Sequence, residues 1–176
     1  YEAFFKAMPP STESGMAFVL VQHLSPDHKS ILSDLVRHYT RMQVHEVEDG
    51  MEVKPDHAYI IPPNRDMALV GTTLRLYQPS EPRGQRLPID FFFRSLAREH
   101  RERAICVVLS GTGSDGTLGV RAIKGEGGMA IAQLPETTEH DGIVRVYCGM
   151  VISASAEITA GTASSSRSRI RAVRKA

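Results

Sequence analysis

Short apolar runs alternate along this chain with longer segments in which apolar residues recur at helical spacing. "MAFVLVQ" (Met16 to Gln22), "HAYIIPP", "RAICVVLS" and "MAIAQ" are brief, rich in apolar and β-branched residues, and bounded by polar or turn-forming ones, which predicts strands. "RAICVVLS" is apolar almost throughout, as a strand buried on both faces of a parallel sheet should be. "MQVHEVEDG" reads as a strand turning at Asp49-Gly50, and "MALVGTTLRLY" as a hairpin turning at Gly71. Helical spacing appears in "YEAFFKAMPP" through Phe4, Phe5 and Met8, and in "KSILSDLVRHY" through Ile31, Leu32, Leu35 and Val36. "PIDFFFRSLAREH" has Pro88 at a helix start, gathers Ile89, Phe92, Phe93 and Leu96 on one side, and places its "FFF" cluster in the core. "DGTLGVRAIKGEGG" is a helix ending in glycines, while "PPSTESG" and "PSEPRGQRLP" are loops, the latter with Arg83 and Arg86 in solvent. Strands alternating with helices of these lengths predict an α/β fold: three layers, doubly wound, with a mostly parallel sheet.

Composition narrows the class without naming a function. At 176 residues, 41% hydrophobic and 23% charged, the chain fits one soluble domain with a real core. The formal charge of +1 argues against a strongly charged partner surface, so no nucleic-acid partner is expected. No apolar run is long enough to span a bilayer and no signal-peptide pattern opens the chain, so no membrane insertion is expected. Cys106 lies inside an apolar strand, far from Cys148, and neither has metal-ligand spacing. This points to a buried thiol in a reducing, cytoplasmic compartment. His23 and His28 read as a base and a helix-start surface residue, not a ligand pair, and neither metal nor cofactor is implied. The opening helix has no initiator Met, which suggests a fragment whose N-terminal part lies elsewhere. The end, "GTASSSRSRIRAVRKA", is Ser-rich and then basic, the composition of a disordered tail over residues 161–176.

The candidate chemistry sits at strand ends. His23 directly follows "MAFVLVQ", and Asp115 lies in "GTGSDG", just after "RAICVVLS" stops at Ser110. Strand ends of a parallel sheet share one rim, so the two can meet there. A His oriented by an Asp is the base half of a nucleophilic triad, because the carboxylate fixes the imidazole tautomer and stabilises the cation that forms. Glycines around Asp115 let backbone N–H groups approach a developing oxyanion. A nucleophile is harder to find: Ser110 precedes the turn, Ser25 and Ser30 are turn and helix-start residues, and Ser95 lies on a helix. "GTGSDG" alone could equally be a phosphate-cradling turn, although no Gly-Lys-Ser/Thr follows it and no full dinucleotide fingerprint is present. A phosphate- or nucleotide-binding module therefore stays open as an alternative.

The ordered set "VQHLSPDH", "EVEDGMEVKPDHAYIIPPNRDMAL", "RLPIDFFFRSLA" and "VVLSGTGSDGTLGVRAIKGEGGMAIAQ" resembles the catalytic domain of the chemotaxis protein-glutamate methylesterases, the CheB family. Within it, the chain is most similar to the form fused to a methyltransferase module. The resemblance divides the chain into a methylesterase-like α/β domain over 1–142, a divergent segment over 143–160 and the tail over 161–176. It implies a Ser-His-Asp hydrolase that removes methyl groups from glutamyl esters on the cytoplasmic helices of chemoreceptors, and often deamidates glutamines there. A receiver domain or methyltransferase module is the implied companion. The resemblance makes His23 the catalytic base and Asp115 its carboxylate. Thr112, where the family commonly has Met, then contributes a backbone N–H to the oxyanion site. The family nucleophile lies in a G-x-S-x-G-G turn after the first strand, and that strand and turn are absent from these 176 residues. The expected sheet therefore lacks the first family strand and has unpaired edges, and the chain is expected to be inactive alone. The alternative is a non-catalytic module of the same fold that binds the receptor or a partner. After "PETTEHDG" the family expects a Met-Pro-Arg-like segment, a helix and a closing strand, and this chain has "IVRVYCGMVISASAEITAGTASSSRSRIRAVRKA" instead.

Overall fold

The computed structural model describes residues 2–6, 14–22, 32–82, 84–110, 114–133, 147–153 and 170–172. Strand β1 (Met16–Val21) shows how the layers form. Its side chains alternate between two cores: Ala17, Val19 and Val21 enter one, and Phe18 and Leu20 the other. A period of two with both sets buried is what a strand covered on both faces must have.

Helices α1 (Glu2–Lys6) and α2 (Leu32–Tyr39) cover one face, through Phe5, Leu32 and Val36. Helices α3 (Pro88–His100) and α4 (Thr117–Gly125) cover the other, through Ile89, Phe92, Phe93, Leu96 and Ile123. The three layers expected from the sequence are thus present. Leu35, expected on the buried face of α2, is 42% exposed, and so is Phe91 of the "FFF" cluster at 43%. Only Phe92 and Phe93 fall within the stripe that α3 turns to the sheet.

The main sheet adds β2 (Gln43–Glu46), β4 (His57–Ile60), β7 (Ala104–Ser110), β8 (Met129–Gln133), β9 (Tyr147–Ser153) and β10 (Ile170–Ala172). Its order is β10-β8-β7-β9-β1-β4-β2. The remaining strands, β3 (Met51–Glu52), β5 (Asp66–Val70) and β6 (Thr73–Tyr77), form a small antiparallel sheet. Its hairpin turns at Gly71, where φ is +59° as a tight turn requires. Met67, Leu69 and Leu74 lay this second sheet over the α3–α4 core. A pattern of short strands cannot reveal which sheet each strand joins, so this division is not legible in the sequence.

In the main sheet, β1, β4 and β2 are mutually parallel, as are β7 and β8. Since β9 is antiparallel to both β1 and β7, those two also point the same way. Five strands therefore share one direction, and β9 and β10 oppose them. The unpaired inner edges expected beside β1 are not found. Tyr147–Ser153, from the divergent segment, fills the place between β1 and β7 and pairs with both. The physical reason is that two facing rows of backbone N–H and C=O groups demand partners, and an apolar, extended segment supplies them. Ile170–Ala172 pairs with β8 at the outer edge of the sheet. Among the described residues no helix is long and apolar enough to cross a membrane.

One glycine fixes how α3 and α4 meet. A Cβ on Gly119 would fall inside contact distance of Phe93 Cβ and 2.9 Å from its Cδ2. Gly119→Ala should therefore push the two helices apart and cost about 1–3 kcal/mol, read as a lower denaturant midpoint with an unchanged m-value.

Candidate active site

Strand β7 runs out at Ser110, and the chain then turns through Asp115 and Gly116 into α4. Gly116 takes φ +92°, a left-handed conformation that favours glycine, and this lets the helix start at once. Asp115 is only 7% exposed. Its Oδ2 accepts the backbone N–H of Ile89 at 3.1 Å, and its Oδ1 that of Asp90 at 2.9 Å. Both donors belong to the first turn of α3, whose N-cap position, Leu87, has no side chain that could cap. A carboxylate from a distant strand tip satisfies these orphan N–H groups and meets the positive end of the helix dipole.

The favour is returned. Asp90, in the first turn of α3, accepts the N–H of Gly119, in the first turn of α4, at 2.6 Å on Oδ1. Each helix is thus capped by a carboxylate belonging to the other's entry. Asp90 is 2% exposed, and its Oδ2 has no partner among the described residues. Sequence reasoning misses Asp90. An acid two positions after Pro88 is an ordinary first-turn residue, and only the packing of α4 makes it a cross-helix cap.

A second polar group adjoins Asp115. Burial pushes the half-buried Asp66 carboxyl up, Arg86 opposes that shift, and the negative charge of Asp115 adds to it. Arg86 donates from Nη1 to Asn64 Oδ1 and from Nε to the Glu81 carbonyl at 2.8 Å. It is half-buried and anchored, not the solvated loop cation that composition suggested. The signal available was "PPNRD" at the end of β4, a polar cluster where a parallel strand stops.

The backbone brings two strand ends to one rim of the sheet. β1 ends at Val21 and β7 at Ser110, at the same rim, and both ends face the start of β9: Val21 pairs with Cys148 and Ser110 with Tyr147. Sheet order also switches here, since β4 and β2 lie to one side and β7 and β8 to the other. Such a crevice at strand C-termini is where open α/β sheets bind ligands. His23, Thr112, Ser25, Ser30, His28 and Arg83 lie outside the described residues, as does the side chain of Ser110.

One nucleophile candidate, Ser95, can be removed, and Cys106 is the buried thiol that its apolar strand predicts. Ser95 is 3% exposed, and its hydroxyl donates to the Phe92 carbonyl at 2.6 Å while accepting the Leu69 N–H at 2.9 Å. It tethers α3 to β5. Cys106 is fully buried and burial pushes its thiol up to about 12, so it stays protonated.

Comparison with known proteins places this arrangement. A family described as CheB methylesterase matches residues 1–159. The chain is 46% identical over 125 residues to an uncharacterized 104.1 kDa protein of Rhodobacter capsulatus, covering 70% of this chain and 13% of that one. It is 30% identical over 136 residues to a protein-glutamate methylesterase/protein-glutamine glutaminase of Escherichia coli K12, covering 75% of this chain and 39% of the relative. The chain thus spans well under half the length of these curated relatives. The crystal structure of the Thermotoga maritima CheB methylesterase catalytic domain is similar with a TM-score of 0.62 at 31% identity, covering 71% of this chain and 68% of that one. With the family matched over nearly the whole sequence and the fold shared, this chain belongs to the CheB methylesterase family.

Proposed function

We propose that this chain is the catalytic portion of a chemotaxis protein-glutamate methylesterase that acts on the cytoplasmic helices of chemoreceptors. The observation that carries the reading is Asp115, a buried carboxylate held at the sheet rim by two backbone N–H groups, within a chain matched by the family over 1–159. A carboxylate fixed in this way can orient a base without exchanging protons itself. The compartment is then the cytoplasm, and a receiver domain or methyltransferase module is the companion in the parent protein.

The chemistry follows from the roles. His23 takes the proton of a serine hydroxyl as that oxygen attacks the glutamyl ester carbonyl. Asp115 holds the imidazole tautomer and stabilises the imidazolium. The backbone N–H of Thr112 receives the oxyanion, methanol departs with the proton from His23, and water then cleaves the acyl-enzyme by the same base. With a glutamine substrate the leaving group is ammonia, consistent with the double activity named for the Escherichia coli relative. The serine belongs to the family's G-x-S-x-G-G turn, which does not occur in residues 1–176. That observation favours a second reading, in which these 176 residues alone act as a binding module of the same fold.

Residues 1–176 should show negligible release of methanol from methylated receptor, and a chain extended upstream through the serine turn should release it. In the extended chain, His23→Ala should lower kcat by roughly four orders of magnitude or more while leaving the denaturant midpoint in place. Full activity in the 176 residues would make Ser110 or Ser25 the nucleophile, and an unaffected His23→Ala would break the triad assignment.

Asp115 should behave differently from His23, because it serves the fold as well as the chemistry. Asp115→Ala strands two buried N–H groups of α3 and should destabilise the 176-residue chain itself by about 1–3 kcal/mol, measured by urea titration. His23→Ala in the same chain serves as the neutral comparison.

A further inference from the structure

The formal charge of +1 conceals an uneven distribution. Helix α3 and the residue before it expose Leu87, Phe91, Arg94 and Arg98, spaced four, three and four apart and so forming one stripe. Helix α4, packed beside it through Gly119 and Phe93, exposes Leu118, Arg121 and Lys124. No acid interrupts either stripe. Glu99 accepts the Gly71 N–H at 3.0 Å, and Glu102 and Glu126 lie beyond the C-terminal ends of the two helices. Among the described residues none of the four cations has an ion pair or a side-chain hydrogen bond.

The apolar members sit at the other end. Phe91 packs edge-on against Tyr77 of β6, with ring centroids 5.8 Å apart, and Leu87, Phe91, Tyr77 and Leu118 are all more than 40% exposed. These are the N-terminal ends of α3 and α4, where the Asp115 carboxylate is bound. The face is therefore apolar at the rim of the site and basic leading away from it.

We propose that this α3–α4 face docks an acidic, amphipathic helix of the protein substrate, with apolar side chains on Phe91 and Leu118 and carboxylates along Arg94, Arg98, Arg121 and Lys124. The choice of occupant rests on the function proposed above. The stripe from Leu87 to Arg98 extends over about 16 Å, or three helical turns, which suits a helix laid along it. Exposed aromatic and aliphatic anchors at the rim favour a helix over a phosphate backbone, which offers them nothing to cover. Exposed cations of this kind act mainly by steering and orienting an oppositely charged partner, so the contact should weaken with salt.

The test measures fluorescence anisotropy of a labelled synthetic helical peptide, with Glu along one face and Leu along the seam, mixed with the 176-residue chain. Wild type should bind it, more weakly as salt rises. The double variant R94E/R121E should lose about tenfold or more in affinity, while K54E, which reverses an exposed charge outside this face, should stay within about twofold. Circular dichroism should show both variants folded, as surface substitutions allow. Equal affinity of R94E/R121E and wild type would overturn the proposal. So would equal binding of the peptide's Glu→Gln counterpart, or tighter binding of a DNA duplex than of the acidic peptide. Because no hydrolysis is read, failure of the esterase reading is separable. An upstream-extended chain that cleaves no ester, while these 176 residues still bind the acidic peptide selectively, removes the activity and leaves the docking face. In an active extended chain, R94E/R121E should raise KM for methylated receptor and leave kcat/KM for a small acetate ester unchanged.

Discussion

The exchange of carboxylates between α3 and α4 is the constraint on which the rest of the site depends. Neither helix can cap itself, because Leu87 and Gly116 occupy the N-cap positions and neither offers an acceptor side chain. Asp115 caps α3 and Asp90 caps α4, and both are buried. An unpaired buried N–H costs about as much as a net hydrogen bond gains, or more, so the two helices are stable only in this mutual position. Gly119 makes the position possible: its N–H is one of the bonded donors, and its missing Cβ is the space that Phe93 fills.

That arrangement has a functional consequence. A residue that must orient a base needs a fixed carboxylate, and one that closes a helix N-terminus cannot swing away without leaving donors unpaired. Under the proposed triad, positioning of the base and stability of the fold are met by the same two hydrogen bonds. Asp66, whose carboxyl is raised by burial and by the charge of Asp115, feels the opposing pull of the anchored Arg86. Ser95 and Cys106, by contrast, belong wholly to the core.

The sheet shows the same economy at a larger scale. The place between β1 and β7 is the switch point of the strand order, and in this chain β9 holds it in antiparallel pairing with both neighbours. The rim at which β1 and β7 end is consequently also the rim at which β9 begins.

Periodicity alone determined much of this protein. The apolar runs of β1 and β7 and the helical stripes of α2 and α3 are local facts, and they carry the α/β class and the three layers. The position of Asp115 after a strand and among glycines was equally legible, since strand tips are defined by where an apolar run stops. What only the tertiary structure decided are relations between residues far apart in the chain. Asp90 became a cap because α4 lies beside α3, and Leu35 and Phe91 stayed exposed because they lie off the stripes that their helices bury in the two cores. Tyr147–Ser153 became a central strand because two rows of backbone groups faced each other across a gap. A net charge near zero likewise gave no hint that four cations would line one face, because charge is summed along a sequence but acts through space. Local pattern specifies which residues must be buried, and only the packed chain specifies against what.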